Sequence, residues 1–125
     1  MKVSEFGFLE DLYFVRLKEG SGGHFLVWRD YRCAFKLDGK DIIYTVPAGT
    51  KTDLASIPRP VQGIVEKLGS HIEAAVVHDH LCIARPWASK VAASVFNEAM
   101  RTARVPDDTR ELMYRAVLWL GPQWG

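Results

Sequence analysis

The first 46 residues contain short runs of aromatic and β-branched residues separated by turn residues, a pattern that predicts β-strands. The runs are Leu12–Leu17, His24–Trp28, Tyr31–Lys36 and Asp41–Val46. Asp38-Gly39 separates the last two runs and is typical of a two-residue hairpin, because such a turn needs positive φ at its centre. An antiparallel β-meander is the simplest arrangement that fits.

After Pro47 the apolar positions change to a spacing of three and four residues, which predicts helices. About four helices are expected: a short one over 61–68, one from Ser70 or His71 to Cys82, one over 88–104, and one from Asp108, where Glu111 completes a capping box. The sequence therefore predicts one α+β domain over residues 1–125. Its parts are strands over 1–46, a loop with the motif TDLASIP over 47–60, and helices packed on the strands over 61–121.

Composition excludes several classes of protein from consideration. The 125 residues are 48% hydrophobic and 25% charged with a formal net charge of +1, so neither a nucleic-acid partner nor an anionic membrane surface is expected. No apolar run approaches the roughly 20 residues that span a bilayer, and the N-terminus lacks the apolar core of a signal peptide. Two cysteines make no disulfide framework, so synthesis in a reducing cytoplasm is the expectation.

Candidate chemistry concentrates in the second predicted helix, which carries His78, Asp79 and His80 among apolar residues. At about 100° per residue, His78 and Asp79 face the interior or a cleft, whereas His80 lies nearly opposite, beside Glu73, as a solvated side chain. One interpretation makes His78 a general base beside the Asp79 carboxylate, with Asp53 from the TDLASIP loop as its orienting group or as a second acid. In the other, Asp53 accepts backbone hydrogen bonds and His78 is a satisfied core histidine.

Two further residues are candidates for binding. Ser56 lacks the Gly-x-Ser-x-Gly context of a nucleophile, so we expect it to bond the turn or cap a helix. Trp28, beside a hairpin corner, and Trp124, near the C-terminus, are candidates for exposed aromatics, which favour a protein partner, although core or half-buried packing is the commoner fate of such side chains.

A metal site is the next hypothesis. His71, His78 and Cys82 share one face of the second predicted helix and would supply three zinc ligands, with Asp53 as a fourth. The chain lacks a Cys-x-x-Cys pair and the His-Glu-x-x-His pattern, so no metal is assigned, and Cys82 is equally explained as a small buried residue.

Four blocks of sequence resemble the phage and prophage domain of unknown function numbered 1353. They are Val46–Pro58, Ala74–Leu81, Phe96–Met100 and Met113–Gly121. The resemblance implies a bacteriophage or prophage origin but supplies no function. The family pattern has an aspartate three residues before Phe96, where this chain has Ala93.

The His-Asp pair also has a remote similarity to the helix of secreted phospholipases A2. That similarity would make His78 the activator of water and Asp79 a calcium ligand. This chain lacks the cysteine framework and the glycine-rich calcium loop of those enzymes, and Ala93 replaces the aspartate that would support the histidine.

Two hypotheses follow. The first is a structural protein of the virion, in the tail or baseplate region, that contacts other phage structural proteins or itself and needs no cofactor. The second is a phage accessory hydrolase that acts on cell envelope or lipid through His78, Asp79 and Asp53. Ala93 favours the first.

Overall fold

The computed structural model describes residues 1–17, 25–52, 57–58 and 71–125. Within them the chain is an α+β protein with its strands at the N-terminal side. The strands are β1 (Val3–Phe8), β2 (Phe14–Arg16), β3 (Phe25–Val27), β4 (Tyr31–Leu37), β5 (Lys40–Val46) and β6 (Lys51–Thr52). The helices are α1 (His71–Ala84), α2 (Ser89–Thr102) and α3 (Asp107–Leu120).

The strands form two antiparallel sheets of three strands rather than the single meander that the sequence predicted. The long sheet has the order β1-β4-β5, and the short sheet has the order β2-β3-β6. The four predicted strands are present as β2 to β5, but β1 and β6 were not predicted. Strand β1 does not show the regular alternation of apolar and polar residues that identifies a strand. Its pairing with β4 shifts between Ser4 and Gly7, where Glu5 has a φ of 52°.

The hairpin that joins β4 and β5 is the one predicted from Asp38-Gly39. Both turn residues have positive φ, 50° and 81°, and Leu37 pairs with Lys40 directly outside the turn. Along β4 every second side chain is buried, and these face the helices: Tyr31, Cys33, Phe35 and Leu37. The turn therefore fixes the register that gives the long sheet its apolar face.

The helices pack in sequence, α1 on α2 and α2 on both α3 and β1. Helix α2 is amphipathic and buries seven residues: Val91, Ala92, Ala93, Val95, Phe96, Ala99 and Met100. The predicted helix over 61–68 lies outside the described residues. The predicted capping box does not form, since α3 begins after Pro106 and Asp108 instead accepts a bond from the Thr109 amide at 2.8 Å.

The C-terminal residues fold back over the connection between α1 and α2. Trp124 donates its indole N–H to the Trp87 carbonyl at 2.7 Å, and the Arg85 guanidinium lies 4.8 Å from its ring centre. Trp124, a candidate for an exposed aromatic, is therefore half-buried, which is the commoner of the two alternatives. None of the helices in the described parts of the chain is long and apolar enough to cross a membrane.

Candidate functional site

Helix α1 is buried on nearly every side, because it lies between α2 and the strands β5 and β6. A helix in such a place is expected to be apolar all round, and most of α1 is. Two of its residues are not: His78 is 2% exposed and Asp79 is 4% exposed. Burying an imidazole and a carboxylate costs free energy unless each has partners, so their contacts determine what they do.

Asp79 points toward the short sheet. Its carboxylate accepts a hydrogen bond from the hydroxyl of Thr52, the last residue of β6, which is 2% exposed. A bond to a carboxylate that is withdrawn from water is among the stronger hydrogen bonds in proteins. The contact therefore fixes the end of β6 against the central helix.

His78 points toward α2 instead. Its ring lies 5.0 Å from the ring centre of Phe96, and the Cys82 sulfur, one turn along α1, is 3.7 Å from Nε2 and 3.8 Å from Nδ1. Desolvation lowers the pKa of His78 to about 4, so the imidazole is neutral at neutral pH. His78 and Asp79 thus contact different elements, as expected for neighbouring residues on a helix.

His80 has a partner that the sequence analysis did not identify. The hydroxyl of Tyr44, on β5, is 2.5 Å from Nδ1 of His80, and the two rings pack edge to face. Burial lowers the pKa of His80, and the nearby Asp79 charge opposes that shift. The expectation of a solvated His80 beside Glu73 was wrong: His80 is half-buried against the sheet, and Glu73 instead accepts a bond from Tyr31 at 3.2 Å.

The other predicted site residues are placed as follows. Asp53 and Ser56 lie outside the described residues, as does the side chain of His71. Trp28 is 63% exposed, as predicted. Among the described residues no three histidine, cysteine or acidic side chains group closely enough to hold a metal ion, so the zinc and calcium hypotheses stay untested expectations.

Ala93 lies on α2, within the core, and is 1% exposed. A methyl group offers no hydrogen bond, so this position cannot orient or charge-stabilise an imidazole on α1. The phospholipase-like pairing of a helical histidine with an aspartate on the next helix is therefore absent at this position.

Two features of the described residues were missed from sequence. Thr52 is the buried partner of Asp79, and its only sequence signal is its place directly before Asp53. Helix α3 carries three large apolar side chains that are mostly exposed: Leu112 at 54% and Trp119 at 69% on its outer face, and Leu120 at 69% as its last residue. The helical spacing of the α3 apolar residues was recognised, but spacing alone does not show that the stripe is wider than the face that packs.

The comparisons with known proteins place the chain in a family. The model of the family "Protein of unknown function (DUF1353)" matches residues 27–117, which is most of the chain, and the protein belongs to this family. No solved structure matches.

Two relatives come from Sinorhizobium fredii (strain NBRC 101917 / NGR234). The uncharacterized protein y4jT is 31% identical over 121 residues, covering 90% of this chain and 36% of that protein. The uncharacterized protein y4iH is 36% identical over 78 residues, covering 61% of this chain and 33% of that protein. The chain thus spans about a third of the length of the curated relatives that it matches.

Proposed function

We propose that this chain is a structural protein of a bacteriophage or prophage particle, made in the host cytoplasm and incorporated in the tail or baseplate region. The observation that carries the proposal is the apolar outer face of α3, defined by Leu112 and Trp119. An exposed apolar patch on a small domain marks a surface that binds a partner. The partner we infer is another structural protein of the particle.

The α3 face has the composition of a protein interface. Leu112 and Trp119 are seven residues apart and therefore share one line along the helix. Beside them Glu111 and Arg115 form an ion pair, with Nε of Arg115 3.0 Å from the carboxylate. A tryptophan and a leucine flanked by charged residues match the apolar centre and polar rim of many interfaces.

The buried polar residues support the same proposal. A general base must reach the substrate, directly or through one water. His78 is 2% exposed and packs on Phe96, while Asp79 is engaged by Thr52. These contacts suit side chains that hold α1 against α2 and β6, and Ala93 removes the support that a catalytic histidine would have on α2.

The phage assignment rests on the sequence resemblance alone. The blocks Val46–Pro58 and Ala74–Leu81 carry the pattern of a family met in phages and prophages. The two relatives described above are uncharacterised and add no activity, substrate or partner.

Mass spectrometry of purified particles tests the proposal. Particles are induced from the strain that encodes the chain, banded on a density gradient, and the copy number is measured against the major tail protein. We expect a fixed copy number that survives a high-salt wash. Absence from particles that carry a complete set of tail proteins would overturn the proposal.

A second candidate is an accessory hydrolase, favoured by one observation. An imidazole and a carboxylate are buried in adjacent positions of α1, and the strand that contacts Asp79 leads directly into the TDLASIP segment with Asp53. Purified protein would be screened against phospholipid vesicles and peptidoglycan, with and without Ca²⁺ or Zn²⁺. Hydrolysis that is lost in a folded His78→Ala variant would replace the structural proposal with this one.

A further inference from the structure

Strand β5 forms one edge of the long sheet within the described residues, since the sheet order is β1-β4-β5. The backbone bonds show which groups face outward. Leu9 donates to the Arg32 carbonyl and Asp38 donates to the Lys2 carbonyl, so the even-numbered residues of β4 bond toward β1 and the odd-numbered ones toward β5. Through the β4–β5 register, the outward groups of β5 then belong to Asp41, Ile43 and Thr45.

This edge is long and carries incompletely buried apolar side chains. Strand β5 has seven residues, whereas the edge strands β2 and β6 of the short sheet have three and two. Ile43 is 67% exposed on the solvent face of the sheet. On the opposite face, Ile42 and Tyr44 are only half-buried. Natural edge strands of this length are usually shortened, interrupted or covered, because an open edge invites pairing.

We propose that a second copy of this chain pairs with β5, antiparallel, about a two-fold axis through Ile43. The inference deepens the proposed structural function by naming one partner, and it rests on that function. The long sheets of the two copies then form one continuous six-stranded sheet. Such an interface is isologous, the commonest form of self-association.

The register about Ile43 is self-complementary on both faces. On the solvent face Ile43 lies opposite Ile43 of the second copy. On the helix-covered face Ile42 lies opposite Tyr44 of the second copy, and Tyr44 opposite Ile42. Pairs of an aromatic with a β-branched side chain are among the favourable cross-strand pairs. The half-buried Ile42 and Tyr44 would therefore each gain a favourable contact.

Like charges do not meet in the same register. Asp41 lies opposite Thr45 of the second copy, and Lys40 lies opposite Val46. Arg32, beside Thr45 in its own sheet, is already ion-paired with Glu10 at 3.0 Å, so the pairing rests on the backbone and apolar contacts. The outward backbone N–H and C=O groups of Asp41, Ile43 and Thr45 each find a partner in this arrangement.

Sedimentation velocity over a concentration series tests the dimer. The wild-type chain is expected to form a dimer. The Thr45→Pro variant is expected to be a monomer, because proline removes an outward N–H that makes no bond within the sheet and is tolerated at such an edge position. Thr45→Ala is the matched control and should dimerise as the wild type does. A monomeric wild type at every concentration, or a dimeric Thr45→Pro variant, would overturn the proposal.

Cross-linking tests the register without relying on Thr45→Pro to fold. Directly opposed residues of a hydrogen-bonded pair have Cα atoms about 5.5 Å apart, a distance that a disulfide spans. Mild oxidation should join two Ile43→Cys chains. Cys33 and Cys82 are buried, and burial raises the pKa of Cys33 to about 12, so the background should be low.

Val15→Cys is the control. Val15 is 43% exposed and lies on β2, an edge strand of the short sheet. A cross-link in Val15→Cys and none in Ile43→Cys would place the interface on the short sheet and contradict the β5 assignment. The outcome is separable from the proposed function, because copy number in the particle does not depend on whether the free chain dimerises through β5.

Discussion

Helices α1 and α3 distribute their side chains in opposite ways. Helix α1 buries a histidine and an aspartate, whereas α3 exposes a tryptophan and two leucines. Charged and polar side chains are usually exposed to solvent, and large apolar patches are usually buried. Both helices depart from this rule, and each departure needs a cause. In α1 the cause is visible as contacts to Thr52 and Phe96, while on α3 the cause that we propose is a partner.

The two helices show that a residue's type does not by itself tell whether the residue stabilises the fold or is exposed to a partner. His78 and Asp79, which most suggest chemistry, contact the elements around α1 and in the proposed account join α1 to them. Leu112 and Trp119 of α3 fit a core-packing pattern but are exposed, and in the same account they contact another molecule. Substitutions on α1 should therefore change stability, and substitutions on the outer face of α3 should change association.

The largest effect is expected for Asp79→Ala. It leaves the buried Thr52 hydroxyl without its carboxylate partner, so the free energy of unfolding should fall by about 3 kcal/mol. Urea unfolding followed by circular dichroism measures the loss. Glu73→Ala is the control on the same helix, and its effect should be smaller because Glu73 is only partly buried. Equal stability of the two variants would show that the Thr52–Asp79 bond does not hold the fold.

A pH dependence of similar size is expected from His78. Its pKa is about 4 when folded and about 6.5 when unfolded, so the unfolded chain binds the proton more readily. The stability that His78 contributes is complete above pH 6.5 and falls progressively by roughly 3 kcal/mol as the pH approaches 4. Unfolding curves at several pH values should show this slope in the wild type and a shallower slope in His78→Gln. An unchanged slope in His78→Gln would assign the dependence to other groups.

A smaller effect is expected for Tyr44→Phe. The change removes the hydroxyl that bonds His80 but keeps the ring against Trp87. For one partly buried hydrogen bond the loss should be about 1 kcal/mol. A thermal melt at fixed pH measures it, with Tyr13→Phe as control, because Tyr13 is 47% exposed. A loss no greater than in that control would indicate that the Tyr44–His80 contact is incidental.

The smallest effect on stability is expected on the α3 face. Leu112→Ser and Trp119→Ser remove exposed side chains, so each should change the free energy of unfolding by less than about 0.5 kcal/mol. Met113→Ser, on the buried side of the same helix, is the contrast and should destabilise strongly. A large loss from Trp119→Ser would mean that this side chain stabilises the monomer and is not reserved for a partner.

Local patterns in the sequence predicted much of the fold. The Asp38-Gly39 hairpin and the helical spacing of α2 depend on neighbours close in sequence, and the structure confirms both. Strand β1 was missed because its irregular pairing disrupts the alternation that identifies strands. The division into two sheets could not be foreseen, because β1 pairs with β4 and β3 with β6 across long stretches of chain.

The candidate site shows the same limit. The sequence identified His78 and Asp79 as inward-facing, and helical geometry separated them correctly. It could not supply Thr52 for Asp79 or Tyr44 for His80, because those partners are 27 and 36 residues away in sequence. Whether a buried histidine is catalytic or structural depends on such partners, which no local pattern reveals.

The central claim is tested most directly by incorporation of α3-face variants into particles. The copy number of a Leu112→Ser, Trp119→Ser double variant would be compared with Ile83→Ser, which alters a 65% exposed residue on α1. The account predicts that both proteins fold, that Ile83→Ser reaches the wild-type copy number, and that the double variant falls at least about tenfold, equivalent to 1.4 kcal/mol or more of binding free energy. Incorporation of the double variant at the wild-type level would contradict the claim that this face binds the particle.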